Sequence, residues 1–228
     1  MKVEIYSDVV CPWCYIGERR FERALKAFAR ADEVEVVFRP FQLDPSASDR
    51  AVPTAESLRK KFGDNVAAML GRVSSVGAEE GISFNWDRAL SVNTRTAHRL
   101  LRLAELEYGA DVQRRLMDRL FDLHFTNGGN VADREVLVAE ADAVGMDPAR
   151  TRAYLSSDEG VAELEEDFEY ARQLGVTSVP TFVFEERWAV QGAQQTSTFL
   201  EALEKAAKET PAPAGDGDGA CTDGSCAI

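Results

Sequence analysis

Four cysteines are too few to build a disulfide scaffold in a chain of 228 residues. Basic residues are also scarce: 26 Lys and Arg against 39 Asp and Glu leave a formal charge of −13. A nucleic acid or an anionic membrane would be repelled by such a surface, so neither is an expected partner. No stretch approaches the length of a membrane helix. Met1 to Asp8 run directly into a strand pattern, without a basic segment followed by an apolar one. No secretory signal is read there, and the cytoplasm is the expected compartment. There is no phosphate-cradling loop, nucleophile elbow or zinc-protease helix motif, and no internal repeat. None of the motifs implies a cofactor or a resident metal. The length allows one large domain or two small ones. The 45% hydrophobic content is ordinary for a globular protein.

What the chain does have is two close cysteine pairs. The first is Cys11-Pro12-Trp13-Cys14. An alternating run, Lys2 to Tyr6, precedes it and predicts a strand; Ile16 to Ala29 follows and predicts a helix. A Cys-x-x-Cys between strand and helix is the signature of a thioredoxin-like redox site. The physical reason is local. Cys11 sits where the first helical turn leaves N–H groups unpaired, and the positive end of the helix dipole favours a thiolate. Cys14, one turn on, faces inward and can close a disulfide with Cys11. Pro12 suits the first turn, having no N–H to lose. Half of a zinc site, or two unrelated cysteines, is the competing reading.

Val34 to Arg39 alternates and predicts a second strand, so the chain begins β-α-β. Pro40, Pro45 and Pro53 then break it. From Thr54 to about Ser157 the pattern is helical throughout, with no strand. Thr54 opens the first of these helices, striped by Phe62, Val66, Met69, Leu70 and Val73. Asn93 caps a second helix ending near Gly109, and Asp111 to Phe125 is a third. Asp133 caps a fourth, and Pro148 starts a short fifth. Charged residues on these helices, such as Arg102 and Glu105, read as solvated faces. Glu159 to Leu174 is a further helix, closed by Gly175. The run Val176 to Phe184, a hairpin partner over Arg187 to Gly192, and a helix from Thr196 to Lys208 complete an α-β-β-α ending. The expected class is α/β: a thioredoxin-like fold with an inserted all-helical domain. Residues 1–45 and 158–208 form the discontinuous thioredoxin-like domain, and 46–157 form the insertion. Residues 209–228 form a flexible tail carrying the second pair, Cys221 and Cys226.

These residues resemble the DsbA-like branch of the thioredoxin superfamily, in its FrnE-type subgroup. The resemblance covers residues 1 to about 207. It rests on Ser7-Asp8-Val9-Val10-Cys11-Pro12-Trp13-Cys14-Tyr15-Ile16-Gly17 and on Asn93-Thr94 with Ala97-His98-Arg99-Leu100. It rests further on the stretch Gly175 to Phe184 and on Gly192-Ala193-Gln194. The combination is specific, although each piece alone is weak. The resemblance implies thiol–disulfide exchange on a thioredoxin domain with a helical insertion. It also implies a cis peptide bond between Val179 and Pro180 beside the dithiol, leading into Thr181. Without the resemblance, Pro180 reads as a plain loop proline before an edge strand.

The expected function is oxidation–reduction or isomerisation of protein disulfides. Cys11 would attack and Cys14 would resolve the mixed disulfide. Expected partners are disulfide-containing or thiol proteins and a small-thiol or thioredoxin-type electron donor. Trp13 either contacts substrate or packs the loop. Related sites span about −270 to −120 mV, so the dipeptide does not fix the direction of electron flow. Cys221 and Cys226, among Asp216, Asp218 and Asp223, form an auxiliary redox pair or an inert tail. Their acidic neighbours disfavour a thiolate. His98 sits on a stretch expected to border the groove; Asn93 is either a helix cap or a groove residue. His124, at helical spacing from Met117, Leu120 and Phe121, is expected to pack at an apolar face. Two rivals remain: a glutathione-dependent transferase or isomerase of small aromatic compounds on the same fold, and a four-cysteine metal-binding or redox-sensing module.

Overall fold

A computed structural model describes residues 1–209. Cys221 and Cys226 lie outside the described residues. The chain opens with β1 (Lys2–Ser7), α1 (Pro12–Ala27) and β2 (Glu35–Pro40). It continues through β3 (Val52–Pro53), α2 (Thr54–Phe62), α3 (Val66–Glu79) and β4 (Leu90–Ser91). Then come α4 (Arg95–Tyr108), α5 (Ala110–Asp122), α6 (Arg134–Asp142), α7 (Pro148–Ser156) and α8 (Val161–Gln173). It closes with β5 (Thr181–Phe184), β6 (Trp188–Gln191) and α9 (Thr196–Glu209).

The main sheet runs β2-β1-β5-β6. β1 and β2 pair in parallel, from Lys2 opposite Glu35 to Ser7 opposite Pro40. β5 lies antiparallel to both β1 and β6. The β-α-β opening and the α-β-β-α ending therefore share one sheet, and the helical block lies between them in sequence. This is the thioredoxin-like arrangement expected.

Helical spacing turns Phe21 of α1 toward β5 and α9. Its ring lies 5.3 Å from Phe182 and 5.7 Å from Phe199. Each fully buried ring of this kind stabilises the fold by about 1.5–3 kcal/mol. On the other side, Tyr15 stacks on Phe121 of α5 at 4.9 Å. The α1 helix is thus fixed between the sheet and the helical block. The β2 edge is covered too. Gln113 of α5 accepts from the Phe38 amide at 2.8 Å and donates to the Phe38 carbonyl at 2.9 Å, in place of a further strand.

The α1 helix begins at Pro12 and holds the dithiol in its first turn, as the motif indicated. Other expectations need correction. The helical block is not free of strand: Val52 pairs with Ser91 and Pro53 with Leu90. Two-residue strands leave no periodicity to read. The helix from Thr54 is broken at Gly63, where φ is 66°. The stripe loses phase there: Val66 and Val73 are buried, while Phe62 and Met69 are exposed. Thr54 is the first residue of α2 rather than its cap, and its amide donates to the Ala89 carbonyl.

Arg102 and Glu105 are not solvated faces. Arg102 pairs with Asp167 of α8 at 3.0 Å, and Glu105 with Arg39 of β2 at 2.9 Å. Arg39 also pairs with Glu4, which is only 6% exposed. The polar side of β1 therefore lies beneath α8 rather than in water, and Tyr6 packs there on Ala171 and Val176.

Candidate active site

Cys11 occupies the N-cap of α1 in an extended conformation. Its carbonyl accepts from the amides of Cys14 at 3.0 Å and Tyr15 at 3.3 Å. Its own amide donates to the Asp8 carbonyl at 2.9 Å. Pro12 is the first helical residue, where its missing N–H costs nothing. Cys14 follows in the same turn. Both cysteines are free thiols and both are buried. Burial pushes the Cys14 thiol well up from its ordinary range, and the hydrogen bond and charge of Cys11 push it further. Ser7 and the Asp8 backbone act in the other direction and are outweighed.

The chain returns to this point 168 residues later. The Val179–Pro180 peptide bond is cis, as the resemblance implied. The Cys11 sulfur donates to the Val179 carbonyl at 3.8 Å. Thr181 is buried, and its hydroxyl donates to the Ser178 carbonyl at 2.8 Å. The Pro180 carbonyl accepts from the Gly192 amide at 2.7 Å, which joins this loop to the end of β6. Trp13, between the two cysteines, is 36% exposed.

His98 is buried beneath the site, and its Nε2 lies 3.2 Å from Asp8 Oδ1. The other Asp8 oxygen accepts from the Leu43 amide at 2.8 Å. Asp8 therefore holds the Cys11 loop through its backbone and anchors the loop after β2 through its side chain. Asn93 lies one residue before the N-cap, which is Thr94 rather than Asn93 as the pattern indicated. Its Oδ1 accepts from the Arg95 amide at 2.9 Å, and its Nδ2 donates to the Ala47 carbonyl at 3.0 Å. His124 is buried, with its ring edge-on to Phe125. Among the described residues no group of three or more His, Cys, Asp or Glu side chains is placed to hold a metal. Among them, too, no helix is long and apolar enough to cross a membrane.

Gly17 and Arg20 are site-supporting residues that sequence reasoning left without a role. A Cβ on Gly17 would lie 2.9 Å from Pro180 Cγ and 3.4 Å from Ala193 Cα. Arg20 donates to the Ala193 carbonyl at 2.8 Å and pairs with Glu80 at 2.6 Å. The backbone of α1 at Gly17 thus lies directly against the Pro180 ring and the Ala193 backbone. A glycine inside a helix costs about 1 kcal/mol relative to alanine, which was the available signal. Gly17→Ala is expected to destabilise the protein by about 1–3 kcal/mol, through displacement of the stiff proline ring. Urea unfolding measures this, and an unchanged midpoint would contradict the close approach.

A four-stranded sheet of this order, with a dithiol at the start of α1 facing a cis-proline loop, defines the thioredoxin class of fold. Within that class, the chain belongs to the DSBA-like thioredoxin domain family, whose model matches residues 2–204. A solved structure of the probable DsbA oxidoreductase SCO1869 from Streptomyces coelicolor is 36% identical, with a TM-score of 0.84 over 100% of this chain and 99% of that one. The fold is shared more distantly with 2-hydroxychromene-2-carboxylate isomerase. That protein is 18% identical, with a TM-score of 0.65 over 90% of this chain and 95% of the isomerase. It is shared also with the cytosolic disulfide reductase DsbM from Pseudomonas aeruginosa, solved with GSH. There the identity is 18% and the TM-score 0.64, over 90% of this chain and 98% of the reductase.

Proposed function

We propose that this protein is a thiol–disulfide oxidoreductase acting on protein disulfides, with Cys11 attacking and Cys14 resolving. The observation that carries the reading is the asymmetry of the pair. Cys11 stands at the helix start against the Val179 carbonyl, while Cys14 is held as a thiol by burial. The Cys11 thiolate attacks one sulfur of a substrate disulfide and expels the other as a thiolate, leaving a mixed disulfide. Once Cys11 is bound in that disulfide, its charge and its hydrogen bond no longer hold the Cys14 proton. Ser7 and the Asp8 backbone then favour the Cys14 thiolate, which attacks the Cys11 sulfur. The second substrate thiolate leaves, and Cys11–Cys14 is oxidised as the substrate gains two electrons. The Val179 backbone beside Cys11 offers an extended substrate peptide a partner, and Trp13 offers it an apolar surface.

A small thiol or a thioredoxin-type protein would return the dithiol to its reduced form; the likeness to a reductase solved with GSH supports the small thiol. In a reducing cytoplasm, reduction or isomerisation is favoured over net oxidation. Insulin reduction with dithiothreitol is the test, run beside glutathione-dependent turnover of an aromatic substrate. Activity in the second assay alone would overturn the reading.

The tail pair Cys221 and Cys226 would exchange electrons with Cys11–Cys14 as an auxiliary dithiol. Removing residues 209–228 is expected to lower the rate of redox recycling only partly and to leave thermal unfolding unchanged. Unfolding of the truncated chain would contradict this.

A further inference from the structure

A second recess lies between α1, the start of α5 and the β2 side of the sheet. Its volume is about 790 Å³. Ile5, Phe21, Leu25, Val36 and Phe38 give it an apolar lining. Glu18 lines it as well, yet is only 2% exposed. Neither Glu18 carboxyl oxygen has a hydrogen-bond partner among the described residues. Buried polar groups are costly without partners, and native proteins keep few of them. By helical spacing Glu18 shares a face of α1 with Phe21 and Leu25, where an apolar side chain would pack without that cost.

The charges around it are not balanced. At the exposed rim, Asp32, Glu35 and Asp111 have no ion-pair partner among the described residues. Arg114 is already engaged by Glu22 at 3.0 Å, leaving Lys26 as the cation on the lining without such a contact.

We propose that this recess binds an organic monocation, a primary amine whose ammonium meets Glu18 while its hydrocarbon body lies on the half-buried Leu25, Val34 and Tyr108. Burial pushes the Glu18 carboxyl well above the usual range, and Asp118 and Glu22 add to this against the opposing Arg19 and Arg114. Burial without a hydrogen-bond partner thus favours the neutral form of this carboxyl. An arriving ammonium displaces its proton to solvent and forms a charge-assisted hydrogen bond with the carboxylate. The rim carboxylates raise the local concentration of cations. A neutral alcohol would gain only the apolar contact, and an organic anion would be repelled.

The test is calorimetric titration of the full chain with hexylammonium, hexanol and hexanoate, in two buffers of different ionisation enthalpy. Hexylammonium is expected to bind saturably with proton release, and the other two at least about tenfold more weakly. Glu18→Gln should weaken hexylammonium by at least about tenfold and abolish the proton release. Ala110 lines the same recess, so Ala110→Trp fills the opening while leaving Glu18 in place and should also block binding. This second variant keeps the test decisive if Glu18→Gln does not fold. Equal binding of hexanol, unaltered binding by either folded variant, or no saturable binding of hexylammonium would each overturn the proposal. Insulin reduction is read separately, because the recess does not depend on the thiol chemistry.

Discussion

Cys11→Ser is expected to abolish insulin reduction, with a loss of at least about a hundredfold, because a hydroxyl at the helix start is not ionised and does not attack sulfur. Cys14→Ser should fail differently. Its Cys11 still attacks, but nothing inside the protein displaces the substrate, so a mixed disulfide accumulates. Mass spectrometry of acid-quenched reactions would find the adduct with Cys14→Ser and none with Cys11→Ser. The contrast follows from position. Cys11 holds the N-cap of α1 against the Val179 carbonyl, whereas Cys14 lies one turn into the helix beside Ser7 and Asp8. Adducts on Cys14 in the Cys11→Ser protein would reverse the two roles. Full activity of Cys11→Ser would remove the dithiol from the mechanism.

The legible parts of this chain were those set by local rules. Alternation marked β1 and β2, and Cys11 and Cys14 at a strand-to-helix junction marked the site. Asp133 capped α6 through its own side chain, and Pro148 began α7, as short-range chemistry allows. What escaped was decided by distant residues. Asp8 meets His98 across 90 positions, and Arg39 meets Glu105 across 66. No window of sequence reports either pairing. A charged residue on a helix reads the same whether water or another element covers it, which is why Arg102 and Glu105 were misread. The ladder of β3 and β4 escaped for a different reason. Its two-residue strands are shorter than the repeat that would reveal them, and the β3 pairing residues Val52 and Pro53 lie in a stretch that reads as loop.

Acid should unfold this protein partly through His124. Burial lowers its pKa to about 4, with the charge of Asp8 acting weakly in the opposite direction. In the unfolded chain the same ring titrates at about 6.5. Above that value it is neutral in both states, so its contribution to stability is fully present. As the pH falls from about 6.5 to about 4, the unfolded chain takes up a proton that the folded protein refuses, and stability is lost. The loss over this window is about 3 kcal/mol.

The pH curve of the natural protein does not isolate this effect, because Glu18 acts with the opposite sign. Its folded carboxyl titrates above the unfolded one. The folded protein therefore binds that proton first, and acidification stabilises it down to the unfolded carboxyl range, near 4.3. The informative quantity is the difference between the natural protein and His124→Leu, measured by urea unfolding across the window. Leucine removes the titrating group, and the ring's Nδ1 has no hydrogen-bond partner among the described residues to lose. The stability of the variant relative to the natural protein should rise by about 3 kcal/mol between neutral pH and pH 4. A difference that stays constant would mean that His124 takes up its proton in the folded state, and that the turn after α5, which carries His124 and Phe125, admits water.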